Sequence, residues 1–387
     1  MFAAQFLSGV GFSFVLPFFP FYFRALGIEN IKDNLLWVGW ASAAFGVTMA
    51  FTAPLWGLVA DRYGRKLMVV RSMIGGSVVL GLMGFATKPW HLVALRILQG
   101  VFTGTVAASI TLVSSITPAA NRGISLGILQ TGFFLGTSIG PFAGGILADR
   151  FGFRVPCYAA FAMLFIGTVL VIFFASERFV PPERTSDSGF RTIGKIVNMH
   201  GFKFILSLYF LLYVLNSMVI PILPLFIEQL LGTTDKSASL TGIFVAFTGF
   251  LAGISSVFLG RLGDRFGPER ILMFSLVCTG LITIPQSFAG NLVVLFIERC
   301  LLGLAFGGIL PSVNTLVSYI IPQEKIGGAY GMTTSVTSLG IGAGPLIGGY
   351  LASLMGLRVP FAVLGIMAII VAYFVHATFG KLRKESV

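Results

Sequence analysis

Two short clusters put ionisable groups where an apolar chain has no structural need for them. Arg96 and Gln99 lie in the apolar run 90–116, with Thr103 at i+7 on the same helical face, and Glu298 with Arg299 lies in the run 291–320. A guanidinium inside a membrane-spanning helix costs roughly 2.5–3.5 kcal/mol, so each arginine is expected to face a wet cavity or a partner. Glu298 adds an acid and is the first candidate to carry a proton. A third cluster, Gly57-x-x-x-Asp61-Arg62-x-Gly64-Arg65-Lys66, sets one acid beside three bases where an apolar run ends. Its glycines allow a tight turn and close helix approach. Tyr209, Tyr213 and Asn216 share a face at i, i+4 and i+7, and Phe12, Leu16 and Phe19 do something similar. Such mostly apolar surface with few polar tips suits a lipophilic ligand. Hydrolytic chemistry has no constellation here: HExxH, GxSxG and clustered His/Asp sets are missing. Cys157, Cys278 and Cys300 form no metal-ligand spacing. Neither an enzyme, a bound metal nor a cofactor is expected.

The elements that must position these residues follow from composition. Of 387 residues, 56% are hydrophobic and 10% charged, against about 25% charged in a soluble domain. The solvent for most of the chain is therefore lipid. Apolar runs long enough to span lie near 1–23, 36–60, 67–86, 90–116, 123–148, 154–175, 204–231, 238–262, 269–288, 291–320, 326–354 and 358–379. The net charge of +12 would raise the question of nucleic acid in a soluble chain, but the 26 Lys/Arg sort by side, 17 against 7, with Arg96 and Arg299 inside spans. That asymmetry is a topology signal, placing both termini in the cytoplasm, and brings the basic side to anionic lipid headgroups. No nucleic acid partner is expected.

The chain also repeats itself. Pro17-x-x-Pro20 recurs as Pro221-x-x-Pro224, and Gly57-x-x-x-Asp61-Arg62-x-Gly64 as Gly260-x-x-x-Asp264-Arg265-x-Gly267. Arg96 with Gly100 recurs as Arg299 with Gly303, and Gly140-Pro141-x-x-Gly144-Gly145 as Gly344-Pro345-x-x-Gly348-Gly349. Two six-span halves, 1–176 and 204–387, are joined by a linker, 177–203, with an amphipathic stretch at 190–197 suited to the membrane surface. The fold expected is an all-α integral membrane protein of twelve transmembrane helices in two pseudo-symmetric halves. Parallel repeats of this kind place a substrate site between them near the midplane. Arg24 closes span 1 and Glu228 closes span 7, 204 residues apart. They are expected to meet as an ion pair across an outer gate.

These motifs resemble the major facilitator superfamily, in its drug:proton antiporter branch with twelve spans, and the runs Phe6 to Pro20 and Gly263 to Glu269 resemble its MdtG-type multidrug exporters. The 57–66 pattern matches the superfamily signature between spans 2 and 3. Arg96-x-x-Gln99-Gly100 resembles the branch's second motif, and Gly136-x-x-x-Gly140-Pro141-x-x-Gly144-Gly145 its exporter motif. The resemblance implies that Asp61 and its neighbours, with Asp264 and Arg265 in the second half, form a conformational latch. Pro268 and Glu269 replace the second basic pair there, which weakens that copy. It implies a role for Arg96 in proton coupling or substrate binding, and an outer pathway shaped by the exporter motif. Several drug antiporters carry an acid in span 1, and residues 1–23 have none. The implied function is export of lipophilic small molecules or drugs by a monomer in the cell inner membrane, driven by the proton gradient through alternating access. Export of a specific metabolite, lipid or siderophore, with the arginines binding an anionic group, is the alternative. A non-transporting sensor is the least expected.

Overall fold

The computed structural model describes residues 1–118, 121–177, 201–320 and 326–385, and the side chains of all of these except 58, 61, 318, 320, 326–330 and 379–385. The amphipathic stretch expected at 190–197 lies outside the described residues. Among them, twelve helices are long and apolar enough to cross a membrane: Phe2–Ala25, Ile31–Gly57, Arg65–Met83, Pro89–Ile116, Arg122–Phe151, Arg154–Phe174, Phe202–Leu231, Ser237–Phe266, Pro268–Gln286, Leu292–Val317, Gly331–Met355 and Val359–Thr378. They are spans 1 to 12 below.

The spans are of different kinds, and the sequence says why. Spans 1, 4, 7 and 10 are broken near their middle. Span 1 passes through a 3-10 turn at Leu16–Phe18, and span 7 breaks between Met218 and Ile222; Pro17 and Pro221 lack the N–H that a continuous helix would use there. Span 4 breaks at Thr103 and Gly104, where Gly104 has φ 119°, and span 10 at Gly307 and Gly308. Spans 2, 5, 8 and 11 belong instead to continuous helices of 33, 30, 30 and 30 residues. At 1.5 Å per residue these reach about 45 Å, well beyond a hydrocarbon core of about 30 Å. Hydropathy ended spans 2 and 8 near 60 and 262, yet their helices run on through Asp61-Arg62-Tyr63 and Asp264-Arg265-Phe266. Charge stops burial in lipid without stopping the helix. Gly64 and Gly267, both at φ 96°, then end these helices in tight turns, a left-handed backbone open to glycine at little cost.

Each half packs as one ring. Span 1 packs on spans 5 and 6, span 3 on spans 4 and 6, and span 2 on span 4; span 7 packs on 11 and 12, span 9 on 10 and 12, and span 8 on 10. The halves meet along two seams, span 2 with span 11 and span 5 with span 8. The end carrying the turns at Gly64 and Gly267 is termed the basic end, and the end where spans 1 and 7 finish the gate end.

Candidate functional site

The seams are tight over one stretch only. A side chain at Gly46 would strike the Ser338 carbonyl and Gly342, one at Gly349 the Leu35 carbonyl, one at Gly145 the Ala238 carbonyl, and one at Gly242 the Pro141 carbonyl. Further toward the basic end, Gly57, Gly127, Gly253 and Gly331 have open space. The two halves thus touch from mid-span to the gate end and diverge toward the basic end. Of the exporter-motif residues, Gly136, Gly140 and Gly144 fit against the span 1 backbone, while Gly145 and Pro141 belong to the seam with span 8.

Two polar devices hold the gate end. Arg24 donates to Glu228 at 2.6 Å across the halves, with 27% and 17% of the side chains exposed, and the guanidinium lies over Phe21. The structure thus brings together the pair that the repeat singled out. The second device lay hidden from the sequence. Asp149, at the end of span 5, accepts from the backbone N–H groups of Ala238 and Ser239 at 3.3 and 2.7 Å. Those amides open span 8, where a helix leaves N–H groups unpaired and its dipole favours an anion. No local signal could have found this partner, 89 residues away.

Arg96 is 2% exposed and therefore does not face water. It donates to Gln99 Oε1 at 2.6 Å and stacks over Phe45 at 4.1 Å and Phe19 at 5.5 Å. An amide and two ring faces hold the cation instead of a wet cavity; its Nε lacks a partner. Thr103, expected on the same helical face, lies in the break of span 4. Arg299 turns toward Phe361 of span 12, leaving Nε and Nη2 unpartnered. Glu298, one residue away, faces span 9 and lines a lateral groove. The structure does not bring Glu298 to Arg96.

The aromatic residues expected to line a cavity scatter. Phe12 covers Gly76 of span 3, and Phe19 is buried beside Arg96. The turn at Pro17 rotates the second part of span 1, so the shared face of Phe12 and Phe19 does not persist through it. Tyr209 is buried and donates to Asn314 Oδ1 at 2.5 Å, Tyr213 packs on Gly340, and Asn216 remains exposed.

At the basic end, Gly57 is free of close neighbours and the side chain of Asp61 lies outside the described residues. Arg62 stacks on Tyr63 and Arg265 on Phe266, each at 5.4 Å, so the repeated motif repeats its local contact; Asp264 is exposed. Glu177 accepts from the Arg65 and Lys66 N–H groups at 3.1 and 2.8 Å, and Lys66 Nζ donates to the Ile172 carbonyl at 2.8 Å. The break in span 4 is satisfied by side chains that sequence reasoning passed over. Thr52 donates to the Gly100 carbonyl, Trp56 Nε1 to Val101 and Arg71 to Thr103, at 3.0, 2.6 and 3.1 Å, with Arg71 stacked 3.5 Å over Trp56. Arg71 lies two turns inside span 3, and counting it with the basic loops concealed a third intramembrane guanidinium.

The Major Facilitator Superfamily model matches residues 1–208 and again 205–386. The chain belongs to the major facilitator superfamily. It is 36% identical to the multidrug resistance protein MdtG of Proteus mirabilis over 362 residues, covering 92% of this chain and 89% of that one. MdtG of Klebsiella pneumoniae is 36% identical over 364 residues, covering 92% and 87%. Among solved structures, a bacterial homolog of the human lysosomal transporter Spinster, in an inward-facing and occupied conformation, superposes with TM-score 0.79 at 15% identity, covering 97% of this chain and 94% of that one. The nucleoside transporter NupG superposes with TM-score 0.76 at 14% identity, covering 97% and 98%. As a superfamily transporter, the chain presents two repeated halves in contact at one end and parted at the other.

Proposed function

We propose that this transporter exports lipophilic small molecules from the cytoplasm across the inner membrane, coupled to proton entry. The observation that carries the reading is the pair of seams, closed by Arg24–Glu228 and Asp149 and open beyond Gly57, Gly127, Gly253 and Gly331. With the basic end in the cytoplasm, this is the state that loads substrate from inside, and rocking of the halves would release it outside. Likeness to proteins named for multidrug resistance supports a lipophilic cargo. Arg96 in the first half and Arg299 in the second are the coupling or substrate-recognition residues of this reading, and a single chain provides the whole pathway. The test is reconstitution of the purified chain in proteoliposomes with an imposed pH gradient and a panel of structurally unrelated dyes. Gradient-accelerated movement of several dyes is expected; movement blind to the gradient would remove proton coupling, and inertness toward every dye would remove the drug-export reading. Unpartnered N–H groups on Arg96 and Arg299 favour a second reading, an anionic metabolite as cargo. It predicts the opposite pattern, with dyes inert and one anion transported.

A further inference from the structure

Glu298, the first candidate to carry a proton, lies apart from Arg96 and from the seams. It sits two turns into span 10, in a groove of about 520 Å³ whose other walls are Ile284, Pro285, Phe288, Ala289, Gly290 and Val294. One carboxylate among aliphatic and aromatic groups is the sole ionisable side chain lining it. The groove lies near the gate end, between span 9 and span 10, and the helix face beside it is that of Val293, Ile297 and Leu301. These are 68%, 53% and 47% exposed, an apolar face of the kind that lies against lipid. No basic side chain comes within 4 Å of Glu298 among the described residues, where Arg24–Glu228 is the ion pair formed. Its Oε2 has no hydrogen-bond partner. The neighbouring Arg299 is near enough to act on it electrostatically, but its guanidinium lies over Phe361.

The internal repeat supplies a control. The first-half counterpart of Glu298, 203 residues earlier, is Leu95, and span 4 folds with an apolar residue there. The fold therefore does not require a carboxylate at this register. An acid with no bonded partner among apolar walls at the lipid face is complementary to a ligand that is itself apolar apart from one positive charge. A phospholipid headgroup fits less well, because no cation lines the groove to receive its phosphate. We infer that the groove between spans 9 and 10 is a peripheral binding site for amphipathic monocations, entered from the membrane, with Glu298 as the counter-ion. The groove is open rather than enclosed, which suits a ligand shared with the surrounding acyl chains, and a cation beside a carboxylate in low dielectric supplies the attraction that apolar walls cannot. Occupancy does not depend on the chain being an exporter, so it is read by binding rather than by transport.

The experiment uses the full chain in phosphatidylcholine nanodiscs and two diazirine probes of equal length, an alkyl trimethylammonium and the corresponding neutral alkyl alcohol, with labelled residues mapped by mass spectrometry. The cationic probe is expected to label the 284–298 region, to be displaced by tetraphenylphosphonium, and to lose about tenfold in labelling in Glu298→Gln and Glu298→Leu. Glu298→Asp should retain most of it, which separates loss of charge from loss of fold. Equal labelling by the alcohol, or labelling indifferent to Glu298→Gln, would reduce the site to an apolar crevice and overturn the proposal. Loss of labelling when phosphatidylethanolamine replaces part of the phosphatidylcholine would overturn it too, in favour of a lipid amine. Retained tetraphenylphosphonium displacement in Glu298→Leu would place the cation elsewhere.

Discussion

Arg96 shows how a single cation can be accommodated in lipid. Its guanidinium is held by one amide oxygen and two aromatic faces with Nε left unpartnered, a planar arrangement that a lysine ammonium cannot reproduce. Arg96→Ala is therefore expected to abolish gradient-driven transport, and Arg96→Lys to recover only part of it, measured as initial dye flux in proteoliposomes at matched protein. Full activity of the lysine variant would leave only a positive charge as the requirement. The Arg24–Glu228 pair is partly exposed, and solvent-screened pairs are worth at most about 1 kcal/mol, enough to change a two-state ratio roughly fivefold. Arg24→Glu and Glu228→Arg should each raise maleimide labelling of a cysteine placed at the gate end by about that factor. The double swap should return it to the starting value. Additive increases without rescue would leave two unrelated surface charges.

At the scale of the helix, continuous spans form the seams and broken spans sit beside them. Asp149 acts through the first turn of span 8, so Asp149→Ala removes two acceptor contacts, a loss of about 1 kcal/mol by analogy with helix N-caps. The gate end should open as it does for the charge reversals, and Asp149→Asn, which keeps an acceptor oxygen but loses the charge, should fall between. Gly46→Leu drives a side chain into Ser338 and Gly342 and is expected to force the same opening with a larger amplitude. Much of this architecture was legible beforehand. Hydropathy gave twelve spans because lipid imposes one solvent rule on every one of them, and the 203–204 residue repeat gave the two halves and the Arg24–Glu228 meeting. What escaped were contacts depending on orientation about a helix axis. Phe12 and Phe19 part because Pro17 turns the helix between them, and Glu298 and Arg299, adjacent in sequence, face different neighbours. The Asp149 cap and the Thr52, Trp56 and Arg71 contacts at the span 4 break were hidden for another reason, since each joins a side chain to a backbone group on a different span.

For the whole molecule, alternating access as proposed above makes this arrangement one member of a two-state equilibrium, which substitutions would tilt. Cysteines at Gly127 and Gly253, where added atoms meet open space, should react readily with a bulky maleimide in a chain whose Cys157, Cys278 and Cys300 are replaced by serine. Adding Arg24→Glu should slow that reaction, because loosening the gate end allows the basic end to close. Unchanged reactivity would mean that the two ends move independently. If the latch implied by the resemblance operates, Asp61→Asn should lower transport strongly while leaving membrane insertion and thermal stability near wild type, since a latch acts on a conformational equilibrium. Wild-type flux at matched expression would sink the latch.

The two fastenings of the gate end answer to ionic strength in different ways. At about 1 M salt the Debye length falls to about 3 Å, but partly buried pairs are screened much less, and Arg24 and Glu228 meet at 2.6 Å with most of their surface covered. Asp149 is exposed and holds the first turn of span 8 through a charge–dipole contact that salt weakens. A membrane bathed in brine would thus leave the closure resting on the Arg24–Glu228 pair, and the penalty for Asp149→Ala should shrink with salinity while that for Arg24→Glu persists.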